Sequence, residues 1–283
     1  MANDEYIAPR GAPGRLDRVL PALVPGLSRG AARRLIATGA VFLNGRCCKV
    51  SSRIIRAGDR LRVGAAPVPT AALAILYEDP DLIAIDKPAG MPSAPTREGA
   101  LGTALEVLSA QLAARDGRPR PLWLVHRLDT VTSGVLLFAA TRAAAALLSA
   151  AFQGQAVEKR YLALVDGVPA NDEGVVDQPL HRRAGRALID PAGKPSRSLW
   201  RVLRRDAGRA LVEVRPQSGR MHQIRVHLQW LGHPIVGDRQ YGGSRAPRLM
   251  LHAATVRVPH RAAEIEISAP VPAAFSAQGT QGT

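Results

Sequence analysis

Residues 126–139 read HRLDTVTSGVLLFA, and everything after the Thr132-Ser133-Gly134 triplet is an uninterrupted apolar run. A short run of that kind, bounded by turn residues, marks a strand buried inside a sheet. Apolar character continues to Phe152 and so reaches bilayer length, but Arg142 sits in its middle and Thr141 reads as a helix N-cap. The segment is therefore a strand followed by a helix. Asp129 lies after the apolar entry Leu124-Val125 and just before the turn, which places its carboxylate on a tight loop at a sheet's edge. An unperturbed aspartate is ionised at neutral pH and can act there as nucleophile or base. Its neighbours His126 and Arg127 can position an anionic substrate, although an aspartate beside an arginine is, taken alone, more often a loop salt bridge.

Working outward, ILYEDPDLIAIDKPAG (75–90) reads as two short strands around an Asp79-Pro80 turn, and RYLALVDG, LVEVRP, LMLHAATVRV and AEIEIS supply further strands. Helices are expected at 102–115, 141–153 and 220–231. Strands outnumber helices without alternating regularly with them, so the fold class is α+β with a mixed, mainly antiparallel sheet.

A second polar cluster lies in PQSGRMHQIRVHLQWLGHPIVGD (216–238), where Arg220, His222, Gln223, Arg225 and His227 crowd together. Ile224, Leu228 and Leu231 form an apolar stripe at helical spacing, with Arg225 one step from it and able to reach inward. His222 and His227 stand five residues apart, on different helix faces, and no HExxH motif exists, so no metal site is expected.

The first part of the chain has another character. Between Gly14 and Val63 eleven basic residues face only Asp17 and Asp59, a net +9 out of +15 for all 283 residues. Of the 38 basic residues only Lys49, Lys87, Lys159 and Lys194 are lysines, and an arginine-rich field of that sign favours a polyanionic partner such as RNA. Leu16, Val19, Leu20 and Leu23 follow helical spacing until Pro25-Gly26, Ser28 caps a second helix that Gly39 ends, and VFLNGRCCKV is a hairpin around Asn44-Gly45. Arg29, Arg33 and Arg34 can share one face of that second helix and touch phosphates. GAAPVPTAA, residues 64–72, has the composition of a linker. The expected organisation is thus disordered ends at 1–13 and 276–283, a basic domain at 14–63 and a larger domain at 73–275. Adjacent Cys47 and Cys48 cannot build a disulfide framework, and the start lacks the plan of a signal peptide, so a cytoplasmic location with no membrane segment is expected; the chain is also expected to be a monomer.

Two resemblances join these readings. RLDRVL, LSRGAARRLI, TGAVFLNG and AGDRLRV resemble the alpha-L RNA-binding domain first described in a ribosomal small-subunit protein. DKPAG, HRLDTVTSGVLLFA, EKRYLALVDG, SGRMHQIRVHL, LGHPIVGD and LMLHA resemble, in wording and order, the RluA-type pseudouridine synthases. That resemblance implies a cofactor-free isomerase that flips a uridine out of RNA and exchanges its nitrogen glycosidic bond for a carbon one. It implies Asp129 as the catalytic aspartate, Tyr161 as the residue stacked on the uracil, Arg225 as the partner of Asp129, and Arg127 as a contact to RNA near the extruded base. Whether Asp129 attacks the ring, attacks the anomeric carbon or removes a sugar proton stays open. An appended alpha-L domain points to large-subunit ribosomal RNA as substrate, with transfer RNA, or a non-catalytic role in ribosome assembly, as the alternatives. Met221, Ser218, Ser196, Ser198, Trp200 and the PSAPT stretch depart from the family's usual wording in loops expected to flank the site.

Overall fold

The computed structural model describes residues 5–9, 14–64, 72–95, 102–183 and 185–276. The chain divides into two compact units: Met1–Ala72 with Ala94–Gln111, and Leu73–Ser93 with Leu112–Thr283. Most of the expected linker and the segment after Ser276 lie outside the described residues.

In the first unit, helices Leu16–Leu23 and Arg29–Thr38 accompany a four-stranded sheet ordered Glu5–Ile7, Arg60–Val63, Val41–Leu43, Arg46–Cys47. The second helix begins where the Ser28 hydroxyl accepts the Ala31 N–H at 3.2 Å, and ends at Gly39 with φ 80°. Asn44 and Gly45, with φ 50° and 77°, make the tight hairpin turn. Leu16, Leu20, Ile36, Val41, Ile55 and Leu61 are fully buried at its centre. One expectation is corrected here: the first thirteen residues are not wholly an unordered end. Glu5–Ile7 pairs antiparallel with Arg60–Val63, Tyr6 packs on the core, and Ala8 is buried. A three-residue edge strand has no periodicity of its own to read; its order comes from backbone hydrogen bonds such as Ala8 N–H to the Asp59 carbonyl at 2.9 Å.

The second unit is built on a ten-stranded sheet whose main path runs Glu173–Asp177, Arg197–Asp206, Arg209–Pro216, Glu158–Asp166, Leu251–His260, Ser133–Ala139, Leu82–Lys87, Ala74–Glu78. All pairs are antiparallel except Ser133–Ala139 with Leu251–His260. Every residue of Ser133–Ala139 is buried, each large aliphatic contributing about 1.5–3 kcal/mol. Gly134, with φ 113°, is required where this strand joins its parallel neighbour, because a Cβ there would run into the Ala253 carbonyl.

Helix Arg142–Gln153 begins with the Thr141 hydroxyl accepting the Ala144 N–H at 3.2 Å. Helix Gln223–Trp230 starts later than its sequence pattern suggests, because His222 takes a left-handed conformation, φ 54°, at its N-cap. Among the described residues no helix is long and apolar enough to cross a membrane.

Candidate active site

Asp129 sits in a turn closed by the Thr132 N–H, which donates to the Asp129 carbonyl at 3.0 Å immediately before the buried strand. The DKPAG stretch holds this loop from the other side. Lys87 is fully buried, and its ammonium donates to the carbonyls of Pro88, Met91 and Thr130 at 2.9, 2.7 and 3.3 Å. The Gly90 N–H reaches the Thr130 carbonyl at 2.7 Å, and the Ser93 hydroxyl donates to the Leu128 carbonyl at 2.9 Å while accepting the Leu128 N–H at 3.1 Å. Burial lowers the Lys87 ammonium to about 8, with the nearby Asp129 charge opposing the fall. The carboxylate-bearing loop is therefore fixed at both ends before anything binds.

Opposite it, Arg225 projects from helix Gln223–Trp230. Its Nε and one Nη donate to the two oxygens of Asp238 at 2.7 and 2.8 Å, while the other Nη lies 3.4 Å from Asp129 Oδ2. Burial by itself would lower the Arg225 guanidinium, but the hydrogen bonds and charge of Asp238, then Asp129, raise it above its usual value. A desolvated cation thus faces Asp129.

The two groups open on a cavity of about 530 Å³, a size suited to a small ligand, which Tyr161, Arg127, Lys159 and His222 also line. Tyr161 lies in strand Glu158–Asp166, where the register against Leu251–His260 shifts between Arg160 and Tyr161. Burial first, and the charge of Asp129 second, push its phenol above the usual range, so it stays a neutral hydroxyl on an aromatic face. Arg127 is exposed at the cavity wall.

His126 behaves differently from its sequence expectation. Its ring stacks on Phe152 at 4.6 Å, its Nε2 accepts the Leu137 N–H at 3.0 Å, and burial drops its pKa to about 3. A neutral imidazole bonded to the strand backbone brings no positive charge to the cavity; it braces the buried strand.

Of the remaining expected residues, Arg29 and Arg33 belong to the first unit, and both pair with buried Asp17, at 3.0 and 2.9 Å, as does Arg15 at 3.1 Å. The side chain of Arg34 lies outside the described residues. Sequence reading missed Asp238 and Lys87 as supports of the candidate site, though LGHPIVGD and DKPAG had already singled out their stretches.

Ser196 and Ser198, noted for departing from the family pattern, are buried and pin helix Gln223–Trp230 through His227. The Ser198 hydroxyl meets His227 Nδ1 at 2.9 Å and accepts from Gln223 Nε2 at 3.0 Å, while Ser196 donates to the Gln178 carbonyl at 2.7 Å. Ser218 donates to Gln223 Oε1 at 2.8 Å.

Known proteins resemble this chain over most of its length. The RNA pseudouridylate synthase family matches residues 81–230, and the S4 domain, an RNA-binding module, matches residues 14–61. The ribosomal large subunit pseudouridine synthase C of Vibrio cholerae is 35% identical over 92% of this chain and 90% of its own length. An uncharacterised RNA pseudouridine synthase of Zymomonas mobilis is 40% identical over 75% of this chain and all of its own. The solved structure of human RNA pseudouridylate synthase domain containing 4 superposes with a TM-score of 0.61 at 28% identity, covering 71% of this chain and 90% of that one. The chain accordingly belongs to the RNA pseudouridylate synthase family and is an isomerase acting on RNA.

Proposed function

We propose that this enzyme converts uridine to pseudouridine in large-subunit ribosomal RNA, in the cytoplasm, with Asp129 as the catalytic carboxylate. The observation that carries the reading is the Arg225 guanidinium, clamped by buried Asp238 and set 3.4 Å from Asp129 on the wall of a cavity that Tyr161 also lines. A target uridine stacked in a helix hides the bond to be broken, so the nucleotide is flipped into this cavity at a cost of a few kcal/mol. Stacking on Tyr161 offsets it, at about 1–3 kcal/mol per base. Arg225 holds the Asp129 carboxylate aimed, and Arg127 at the cavity wall contacts the RNA beside the flipped nucleotide. Arg29 and Arg33 of the S4 domain, held in one cluster by Asp17, meet phosphates elsewhere on the RNA.

The substrate assignment draws on the Vibrio relatives, whose names specify the large ribosomal subunit. Free thiols at Cys47 and Cys48 suit a reducing compartment. Mapping pseudouridines in total RNA from a strain lacking this chain tests the reading. Loss of a small set of sites in large-subunit rRNA is expected; loss confined to transfer RNA would overturn the substrate, and no loss at all would overturn the function.

A further inference from the structure

None of the roles above uses His222, a titratable group beside Asp129. It is a non-glycine residue at φ 54°, a conformation that persists where the surroundings over-determine it and that gathers at functional sites. Tyr241 supplies the constraint, with its hydroxyl 2.9 Å from His222 Nδ1 and its ring edge-on to the imidazole at 5.6 Å.

The hydrogen bonds around that hydroxyl bear on which nitrogen carries the proton. Tyr241 donates its one proton to the Ala187 carbonyl at 3.2 Å and accepts the Ala187 N–H at 2.9 Å. Its remaining lone pair then suits a donor, and in that arrangement His222 carries its proton on Nδ1. Nε2 is then a bare lone pair, 3.8 Å from Asp129 Oδ2, a spacing suited to two acceptors rather than to a hydrogen bond.

We propose that His222 is the proton acceptor that takes the C5 hydrogen of the target uracil once the new carbon–carbon bond has formed, an assignment that rests on the placing of Asp129 and Tyr161 under Proposed function. At that stage C5 bears both its hydrogen and the bond to the sugar. Nε2 takes the proton, the C–H electron pair becomes the C5–C6 double bond, and the C6–N1 π pair moves onto N1. N1 then takes a proton from water and the imidazolium returns its own to water, so the isomerisation needs no co-reactant. Tyr161, which also lines the cavity, is held as a neutral hydroxyl by burial and by Asp129, and is a poor acceptor. Burial lowers the imidazole most; Asp129 and Asp238 oppose this, and Arg225 and Arg182 add to it. The net fall below the ordinary histidine range leaves Nε2 free at neutral pH.

His222→Asn tests this, because asparagine tolerates the left-handed backbone but does not titrate. The substrate is total RNA from a strain lacking this chain, labelled with tritium at C5 of uracil, and the same RNA bearing 5-fluorouridine, whose C5 has no proton to lose. Tritium release in a single turnover should slow by about a hundredfold or more, with RNA affinity unchanged. Consumption of 5-fluorouridine, followed by mass spectrometry, should proceed as fast as with the unaltered enzyme. Full-rate tritium release, or an equal loss on both RNAs, would overturn the role and leave His222 a residue that positions Asp129. Should His222→Asn not fold, Tyr241→Phe carries the same comparison: it keeps the imidazole but removes the Nδ1 acceptor, so slowed tritium release with unchanged 5-fluorouridine consumption supports the role and unslowed release overturns it. Absence of tritium release by the unaltered enzyme would instead overturn the functional reading on which the inference stands.

Discussion

Asp238 holds Arg225 by two hydrogen bonds of 2.7 and 2.8 Å, and this clamp leaves one Nη of the guanidinium 3.4 Å from Asp129. Asp238 is fully shielded, and its Oδ1 also accepts the N–H groups of Gln240 and Tyr241 at 3.1 and 3.2 Å. The arginine is thus immobilised from behind, and its contact to Asp129 requires no reordering when RNA arrives. Arg225→Lys keeps a cation but cannot make the two-pronged bond. The single-turnover rate should fall by about a hundredfold while RNA affinity changes little. A variant that lost affinity alone would show that Arg225 grips phosphate instead.

Asp129→Asn removes the charge and keeps the shape. Its side chain is only partly buried and Arg225 stays held by its two bonds to Asp238, so folding and RNA binding should persist. Tritium release from C5-labelled RNA should drop by on the order of 10⁴-fold. Near-normal release would remove Asp129 from the mechanism.

Tyr161 separates stacking from hydroxyl chemistry. Tyr161→Phe keeps the aromatic face and should bind RNA normally, whereas Tyr161→Ala should weaken binding of the flipped base by about 1–3 kcal/mol. Equilibrium binding beside single-turnover rates distinguishes the two. Equal affinities for both variants would show that the base does not rest on Tyr161.

What the sequence made legible and what it hid have a common physical basis. Ser133–Ala139, the caps Ser28 and Thr141, and the Asn44-Gly45 turn are local patterns, and each forms where its residues require. Asp129, Tyr161 and Arg225 stood out through ordered motifs, and all three line one cavity. Lys87 bonding to Thr130 and Tyr241 bonding to Ala187 cross 43 and 54 residues of chain, and no periodicity records such a meeting. His126 misled for the same reason. Beside Arg127 it looked like part of an anion site, but its environment is set by Phe152, far along the chain and visible only in the fold.

Asp17 makes the basic cluster of the first unit dependent on pH. Burial pushes its carboxyl up, but hydrogen bonds from Arg15, Arg33 and Arg29 outweigh this and leave it well below the usual carboxylate range. A carboxyl depressed in the folded state stabilises it above the unfolded value of about 3.9, and that contribution is lost as pH falls through the lower folded value. The first unit should therefore lose stability in acid below about pH 4. Asp17→Asn should lower its unfolding temperature at neutral pH and remove that part of the acid dependence. Thermal melts followed at several pH values would show it, and identical acid sensitivity in the variant would exclude Asp17 as the cause.

The same carboxylate bears on how RNA is held. Arg29 and Arg33 each spend hydrogen bonds on Asp17, yet their side chains remain 45% and 53% exposed, so one edge of each guanidinium is still open to solvent. Asp17 neutralises one charge of the three it gathers, which leaves a fixed, net positive cluster that a phosphate can meet without ordering long side chains. Arg33→Gln removes one such contact while Arg15 and Arg29 still satisfy Asp17. Each lost phosphate contact should make the slope of log affinity against log salt shallower by about 0.7–0.9, and the loss should be the same whatever the RNA sequence. The measurement is a salt titration of RNA binding by full-length enzyme and variant. An unchanged slope would show that these arginines serve only to neutralise Asp17 and that RNA is gripped elsewhere.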